Sequence, residues 1–519
     1  MEPVLPKGLS KAALDSAIAA FGRVVGDEWL FATENDRLTY TDPYAFGSGE
    51  KFAPSAAIAP ANKEEVQAIV RLANEHRVPL WPVSRGKNFG YGTASPAIAG
   101  SIVVDMTRMN RIIDVDPKQA YAVIEPGVGF FDLFNYLEEN GIPLWMSVPG
   151  NSWGSIIGNA LERGLGYTSY GNHYEQLCGL EVIMPDGVMM RTGLGAMAGN
   201  KAAHCYKFGF GPSWDQLFFQ SNFGIVTQAG VWLQPEPQMS AKTRIRLPKF
   251  EDIGWTIDKL AELRRLNVIE HNFVFGNYLH DAAVLTRRED WYQGKGALPD
   301  AVAQKIIDKY DCGWWSFGLN TTGHEGKVRA HMDAIAAAMG PGIEHEIEWE
   351  TWEKGQPIAS SARGVPSVLA LHIVNWHGGR GGHMGFSPVM PPDGALALAQ
   401  AREMKGRFDE FGLDYYTSFS MGQRHINNIN LIIYDRDDED MVSRARGLFD
   451  ALIKDSKANG YAEYRTHIEY MQQIADTFDY NDSALARLNN QIKQALDPNG
   501  IIAPGKSGIG SNFSYGRTA

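Results

Sequence analysis

A histidine, a tyrosine–arginine pair and a glycine-rich loop are the parts of this sequence best suited to chemistry. His383 lies in Asn375-Trp-His-Gly-Gly-Arg-Gly-Gly-His-Met-Gly-Phe-Ser-Pro388, a run that reads as a flexible glycine loop. His377 is its only neighbour of ligand type, and no carboxylate stands at metal-ligand spacing, so no metal is expected. A neutral imidazole is instead a competent nucleophile toward an electrophilic carbon of a cofactor; the plainer alternative is a structural or solvent-facing histidine. Tyr464-Arg465-Thr466-His467 follows Ala462-Glu463, at the start of an expected helix. A tyrosine beside an arginine can bind a phenol oxygen. The hydroxyl donates a hydrogen bond, and the guanidinium favours the phenolate, the electron-rich form that hydride abstraction needs. Alternatively, Arg465 is a surface ion-pair partner and Tyr464 a packing residue. The loop Ser84-Arg-Gly-Lys-Asn-Phe-Gly-Tyr-Gly92 carries three glycines, a lysine and an asparagine. Backbone N–H groups freed by such turns can form an anion nest suited to a pyrophosphate, although the segment also reads as an ordinary tight turn. It is not a Walker loop, and the chain has no G-x-S-x-G elbow for hydrolase chemistry.

The elements that position these residues follow from periodicity. Asn62-x-x-Glu65 forms a capping box, and Val66, Ile69, Val70 and Ala73 then share one helical face. A strand-like run from Val78 to Val83 enters the 84–92 loop, and three short β-rich pieces follow at 101–105, 112–115 and 120–125. Phe131 to Glu139 reads as an amphipathic helix. No G-x-G-x-x-G opens a helix after the first strand, which argues against a dinucleotide fold. Further glycine-rich stretches occur at 149–171, at 221–227 and at 497–507. After Gln234-Pro-Glu-Pro237 the texture changes to longer helices and more charge, placing a boundary there, with a second domain to about residue 460.

At 519 residues the chain exceeds one compact core. It is 44% hydrophobic and 21% charged, the composition of a globular protein. A net charge of −12 without basic runs argues against nucleic acid. No basic n-region with an apolar h-region begins the chain, and no stretch has the apolar length of a membrane span. Three scattered cysteines, Cys178, Cys205 and Cys312, make neither a disulfide framework nor a thiolate site. The expected setting is soluble, reducing and cytoplasmic.

Taken together and in this order, these pieces resemble the vanillyl alcohol oxidase / p-cresol methylhydroxylase family of FAD enzymes. The resemblance spans nearly the whole chain: Lys87-Asn-Phe-Gly-Tyr-Gly92, the Tyr121 to Gly127 run, Gly154-Ser-Ile-Ile-Gly-Asn159, Arg163-Gly-Leu-Gly-Tyr-Thr168, Gly224-Ile-Val-Thr227, the His383 run, Tyr464-Arg-Thr-His467 and the Asp497 to Ser507 stretch. It implies an α+β, two-domain FAD-binding fold: residues 1–235 with 461–519 would hold the cofactor, and a central α+β cap, 236–460, would cover it. FAD would lie against Ser84, Gly86, Lys87, Asn88 and Gly90, then against Pro149, Gly154, Ser155, Gly158 and Asn159. Gly224, Ile225, Val226 and Lys506 would complete its cradle. A phenolate-binding trio falls on Tyr91, Tyr464 and Arg465. The family attaches FAD through histidine or tyrosine; here the tyrosyl position holds Val374, so an 8α-histidyl bond to His383 is implied.

Three departures stand out. Where the oxidases carry an aspartate beside flavin N5, this chain reads Pro149-Gly150-Asn151-Ser152-Trp153. Where the methylhydroxylases place a glutamate, it has Ser418. A paired histidine of the cap gives way to Asn427-Asn428, and a bulky residue after His383 gives way to Gly385. With Tyr167, the residues Asn151, Ser418, Gly385 and Asn427 are expected to line the substrate pocket. The missing carboxylate is the group expected to activate water toward a quinone methide, and Gly385 leaves room for a larger, lignin-derived phenol. Dioxygen is the expected electron acceptor, with hydrogen peroxide as product. A cytochrome-coupled dehydrogenase subunit and a lyase that cleaves a phenolic dimer with release of formaldehyde are the alternatives. The resemblance further implies a homodimer or larger assembly.

Overall fold

The computed structural model describes residues 4–47, 50–343, 347–358 and 360–510. Around Asn62 the sequence does what its spacing demands. The Asn62 side chain accepts from Glu65 N and caps the helix Lys63–His76, whose buried residues are Val66, Ile69, Val70 and Ala73. That helix and Lys11–Val25 pack on a four-stranded sheet. Its parallel centre joins Ala56–Ile58, Ile102–Asp105 and Leu80–Val83. The far end of the chain completes this layer: Leu80 N donates to Ile501 O at 2.7 Å, Ala503 N donates to Leu80 O at 2.8 Å, and Ile501 and Ile502 are wholly buried.

A second, antiparallel sheet of five strands runs in the order Ile112–Asp116, Tyr121–Ile124, Ile225–Trp232, Leu177–Ile183 and Met189–Arg191. The helix Phe130–Glu139 buries Phe130, Leu133 and Leu137 in the same core as these strands.

The third sheet has nine strands between Met239 and Glu463. Side chains alternate across a strand, so pairing register sorts its two faces. Ile245, Leu247, Phe275, Phe317 and Phe419 face one way and form a core with the helices Asp252–Arg265 and Gly394–Glu410. The other face reads differently. Arg246 pairs with Ser316, Ser316 with Gly276, Gly276 with Ser418, and Ser418 with Ile429. Ser316, Gly276 and Ser418 thus make a trough of small residues between Arg246 and Ile429, and Ser418 and Ile429 line the site.

Two local expectations are corrected here. Gly381–Phe386 is a strand paired with Ile426–Asp435, with His383 opposite Ile433, and not a glycine loop. Its glycines serve close approach: a Cβ on Gly382 would strike the Tyr434 ring. Tyr464 and Arg465 do not open a helix. Ala462–Glu463 is a short strand paired with Pro388–Met390, and helical backbone begins only at Ile468. The Glu463 carboxylate accepts from Ser387 N at 2.6 Å and holds the chain extended at that point.

Candidate active site

A cavity of about 440 Å³ draws its walls from all three large sheets. At one end lie Ser84, Gly86, Lys87 and Asn88, which follow the strand Leu80–Val83, together with Ser155, Gly158 and Asn159. Gly224, Ile225, Val226 and Lys506 close the same region. Ser155 Oγ donates to Ser84 Oγ at 2.6 Å and accepts from Gly158 N at 3.0 Å. Gly158 is obligatory, because a Cβ there would overlap Ser84 Oγ. Asn88 is occupied in shaping its own loop, bonding Thr93 through both side-chain atoms. Asn159 Oδ1 accepts from His173 Nδ1 at 2.6 Å. Lys506 is ion-paired with Glu162 at 2.6 Å.

His383 projects from its strand into the cavity wall, on the same face as Gly385. It is buried, and burial lowers its pKa to about 3, Asp42 and His467 acting in opposite directions. The imidazole is therefore neutral. Neither ring nitrogen has a hydrogen-bond partner. Phe89 stacks on the ring with centroids 4.3 Å apart, and the Cα of Gly90 sits so close that a Cβ would overlap it. A buried, unpartnered imidazole is costly unless something engages it, and these residues fit a planar cofactor with a carbon available to that nitrogen.

At the other end Tyr91, Tyr464 and Arg465 converge. Arg465 Nη2 donates to Tyr91 Oη at 3.3 Å, and the guanidinium lies 4.2 Å from the Tyr91 ring centre and 5.2 Å from that of Tyr464. Burial pushes the Tyr464 phenol above its ordinary value, with Arg465 pulling the other way. Burial disfavours the charge on Arg465, but the two tyrosine oxygens hold its pKa above the usual arginine value. Arg465 makes no ion pair with a carboxylate among the described residues, and its Nε has no partner. Glu463 is close, yet burial raises its carboxyl to about 8, against backbone hydrogen bonds from Ser387 and Arg465 and the Arg465 charge.

Pro149, Asn151, Gly154, Tyr167 and Ser418 all line the cavity. Asn151 Oδ1 accepts from Trp153 N at 3.2 Å, so that side chain also makes its own turn. Gly90, Gly385 and Asn427 do not contribute to the lining. Gly385 stands just behind it, its absent Cβ pointing at Tyr91 Oη at 3.3 Å. Asn427 is buried on the register pair with Ser420. Sequence reasoning missed Gln220, whose Nε2 donates to Tyr464 O at 2.8 Å, and the cap residues His280 and Tyr416. None of the three carries a spacing signal; only the fold brings them to the wall. Among the described residues that line the cavity, Glu162 is the one carboxylate.

The glycine-lined cradle and the converging polar groups share this one cavity, an arrangement that fits a large cofactor beside a small substrate. Residues 54–193 match an FAD binding domain, and residues 321–507 match the C-terminal domain of FAD linked oxidases. The chain is 33% identical to the 4-cresol dehydrogenase [hydroxylating] flavoprotein subunit of Pseudomonas putida, covering 99% of both chains. It is 28% identical to 1'-carboxy-chondrochloren decarboxylase of Chondromyces crocatus, covering 95% of this chain and 97% of that one. The structure of 4-ethylphenol oxidase from Gulosibacter chungangensis, in complex with isoeugenol, superposes with a TM-score of 0.93 at 32% identity, over 98% of this chain and 99% of the other. The chain belongs to the vanillyl alcohol oxidase / p-cresol methylhydroxylase family of FAD-dependent oxidoreductases and has its two-domain fold.

Proposed function

We propose that this enzyme oxidises a para-substituted phenol bound as its phenolate between Tyr91, Tyr464 and Arg465. One observation carries the reading: a guanidinium facing the cavity with two phenol hydroxyls beside it and no ionised carboxylate paired to it. Such a cation lacks a counter-charge, and a phenolate supplies one. Burial keeps Tyr464 from ionising, and the Tyr91 oxygen accepts from Arg465, so each hydroxyl has its proton to donate to the ligand oxygen. Residues 1–235 with 461–519 are read as the cofactor-binding unit and 236–460 as the cap.

His383 is the attachment point for the FAD 8α carbon, which its neutrality, burial and free nitrogens support. FAD, held by the cradle and by His383, would supply the oxidising power, as a hydride acceptor that dioxygen would reoxidise with release of hydrogen peroxide. The residues of the chain do the rest. Arg465 stabilises negative charge on the ring oxygen, which raises electron density at the para carbon and lets the substrate leave as a quinone methide. Gly385 withdraws bulk from the wall beside Tyr91, which suits a phenol larger than a simple alkylphenol. The relatives' names include a hydroxylating dehydrogenase, an oxidase and a decarboxylase; a shared phenol end with a variable cap side accounts for such a spread.

The test is an anaerobic titration of the purified yellow protein with phenols that carry para-alkyl or para-aryl side chains. Bleaching of the flavin absorbance by these, and not by the same compounds methylated at the phenol oxygen, is expected. Equal bleaching by the methyl ethers would contradict the phenolate reading. Readmitting air should give one hydrogen peroxide per turnover; recolouring only with an added cytochrome would replace dioxygen as acceptor.

A further inference from the structure

His280 stands where the cavity meets a second cleft. It lines both, as does Val274. The second cleft runs along the trough face of the nine-stranded sheet between Lys242, Arg244 and Arg246 on one strand and Glu348 and Glu350 nearby, and Arg244, Arg246 and Glu350 are exposed. His280 therefore borders both the site and the second cleft.

Its placement in the fold is specific. His280 follows the strand Phe273–Asn277 in a single helical turn, Tyr278–Ala282, which folds the ring back over Gly276. A Cβ at Gly276 would overlap the His280 Cβ and Cγ, so glycine there is what admits the ring to the trough. Gly276 pairs with Ser418, where the family resemblance leads one to expect a glutamate. The ring centre lies 5.9 Å from that of Tyr416, Tyr416 pairs with Leu431, and Leu431 and Tyr91 both lie within 4 Å of the place a Gly385 Cβ would occupy. The imidazole is thus joined to the phenol end of the cavity by a short chain of neighbours. At the two places where a carboxylate was expected the chain has Asn151 and Ser418, and both line the cavity.

We propose that His280 is the general base that replaces the missing carboxylate: it takes the proton of the water that adds to the quinone methide. In this step the water oxygen bonds to the side-chain Cα and one of its O–H bonds breaks toward the imidazole. The exocyclic C=C electron pair returns to the ring, restoring the phenolate held by Arg465. The imidazolium then releases its proton through the second cleft. The inference rests on the phenol-oxidation reading above. Burial holds His280 below its ordinary 6.5, with Asp281 and Arg244 acting in opposite directions. Those two form an ion pair at 2.8 Å, and Tyr416 is the remaining titratable group against the ring. The base is therefore free at neutral pH.

The experiment is anaerobic stopped-flow with 4-ethylphenol, following flavin bleaching and then decay of the quinone methide absorbance across pH. In the wild type the decay should speed up with rising pH to a plateau, with its midpoint below 6.5. In His280→Gln the flavin should still bleach, but the decay should slow by at least about 100-fold and lose that pH dependence. In His280→Ala, added imidazole should restore it. Decay in both variants at the wild-type rate and with the wild-type pH profile overturns the proposal. Absence of bleaching in the wild type fails at an earlier step and overturns the phenol reading itself.

Discussion

Arg465 is the residue on which most of the chemistry turns. An arginine buried beside two tyrosines, with no carboxylate in direct ion pair, is suited to an anionic ligand. Replacing it with methionine keeps the volume and removes the charge, so kcat/KM for phenols should fall by at least about 100-fold, or roughly 3 kcal/mol of transition-state stabilisation. Steady-state kinetics on a folded variant checks this. Glu463 beneath it behaves in the opposite sense. Its folded pKa, about 8, lies above the usual glutamate value of 4.5. Its contribution to stability is therefore full below the unfolded value and is lost as pH rises through about 8. Glu463→Gln cannot ionise. Its melting temperature should gain on the wild type between about pH 5 and about pH 9, and parallel curves would show that the carboxyl does not titrate in this range.

At the scale of elements, two segments meet at a single contact. The loop after the strand Leu80–Val83 brings Gly90 against His383, and the strand Gly381–Phe386 presents His383 from the other side. Gly90 has φ +80, and its missing Cβ is what leaves room for the imidazole. On the proposed attachment to His383, Gly90→Ala should push the ring away: acid precipitation should leave flavin on the wild type and release it from the variant. Much of this was legible in the sequence. The capping residue Asn62, the apolar face of its helix and the glycine loop all rest on local chemistry, and the structure carries them at the expected residues. Local patterns misled where partners are distant. The glycines around His383 read as a loop because the strand Ile426–Asp435 that pairs with them is more than forty residues further on. Tyr464 and Arg465 read as helical because the ladder to Pro388–Met390 is equally remote. His280 was invisible for a similar reason: its meaning comes from Gly276 beneath it and Ser418 beside it, a juxtaposition set by sheet register.

Across the whole molecule, the site is made by bringing distant parts of one chain together. Tyr91 comes from the first sheet's loop, Tyr464 and Arg465 from the segment that leaves the nine-stranded sheet, and Lys506 from the returning C-terminal stretch whose neighbours Ile501 and Ile502 are buried in the first core. No helix among the described residues is long and apolar enough to cross a membrane. Residues 54–193 match an FAD binding domain, and in the proposed reaction the trough of the nine-stranded sheet selects the phenol and directs its fate. The charge state of the ligand at Arg465 decides whether the proposed chemistry takes place. The most direct measurement is the visible spectrum of 4-nitrophenol bound to the protein at a pH below the compound's own pKa, recorded as a difference spectrum for the wild type and for Arg465→Met. The wild type should bind the yellow phenolate and draw it out of a mostly protonated solution, whereas the variant should not. Binding of the colourless, protonated phenol by both proteins, with equal affinity, would contradict the phenolate reading.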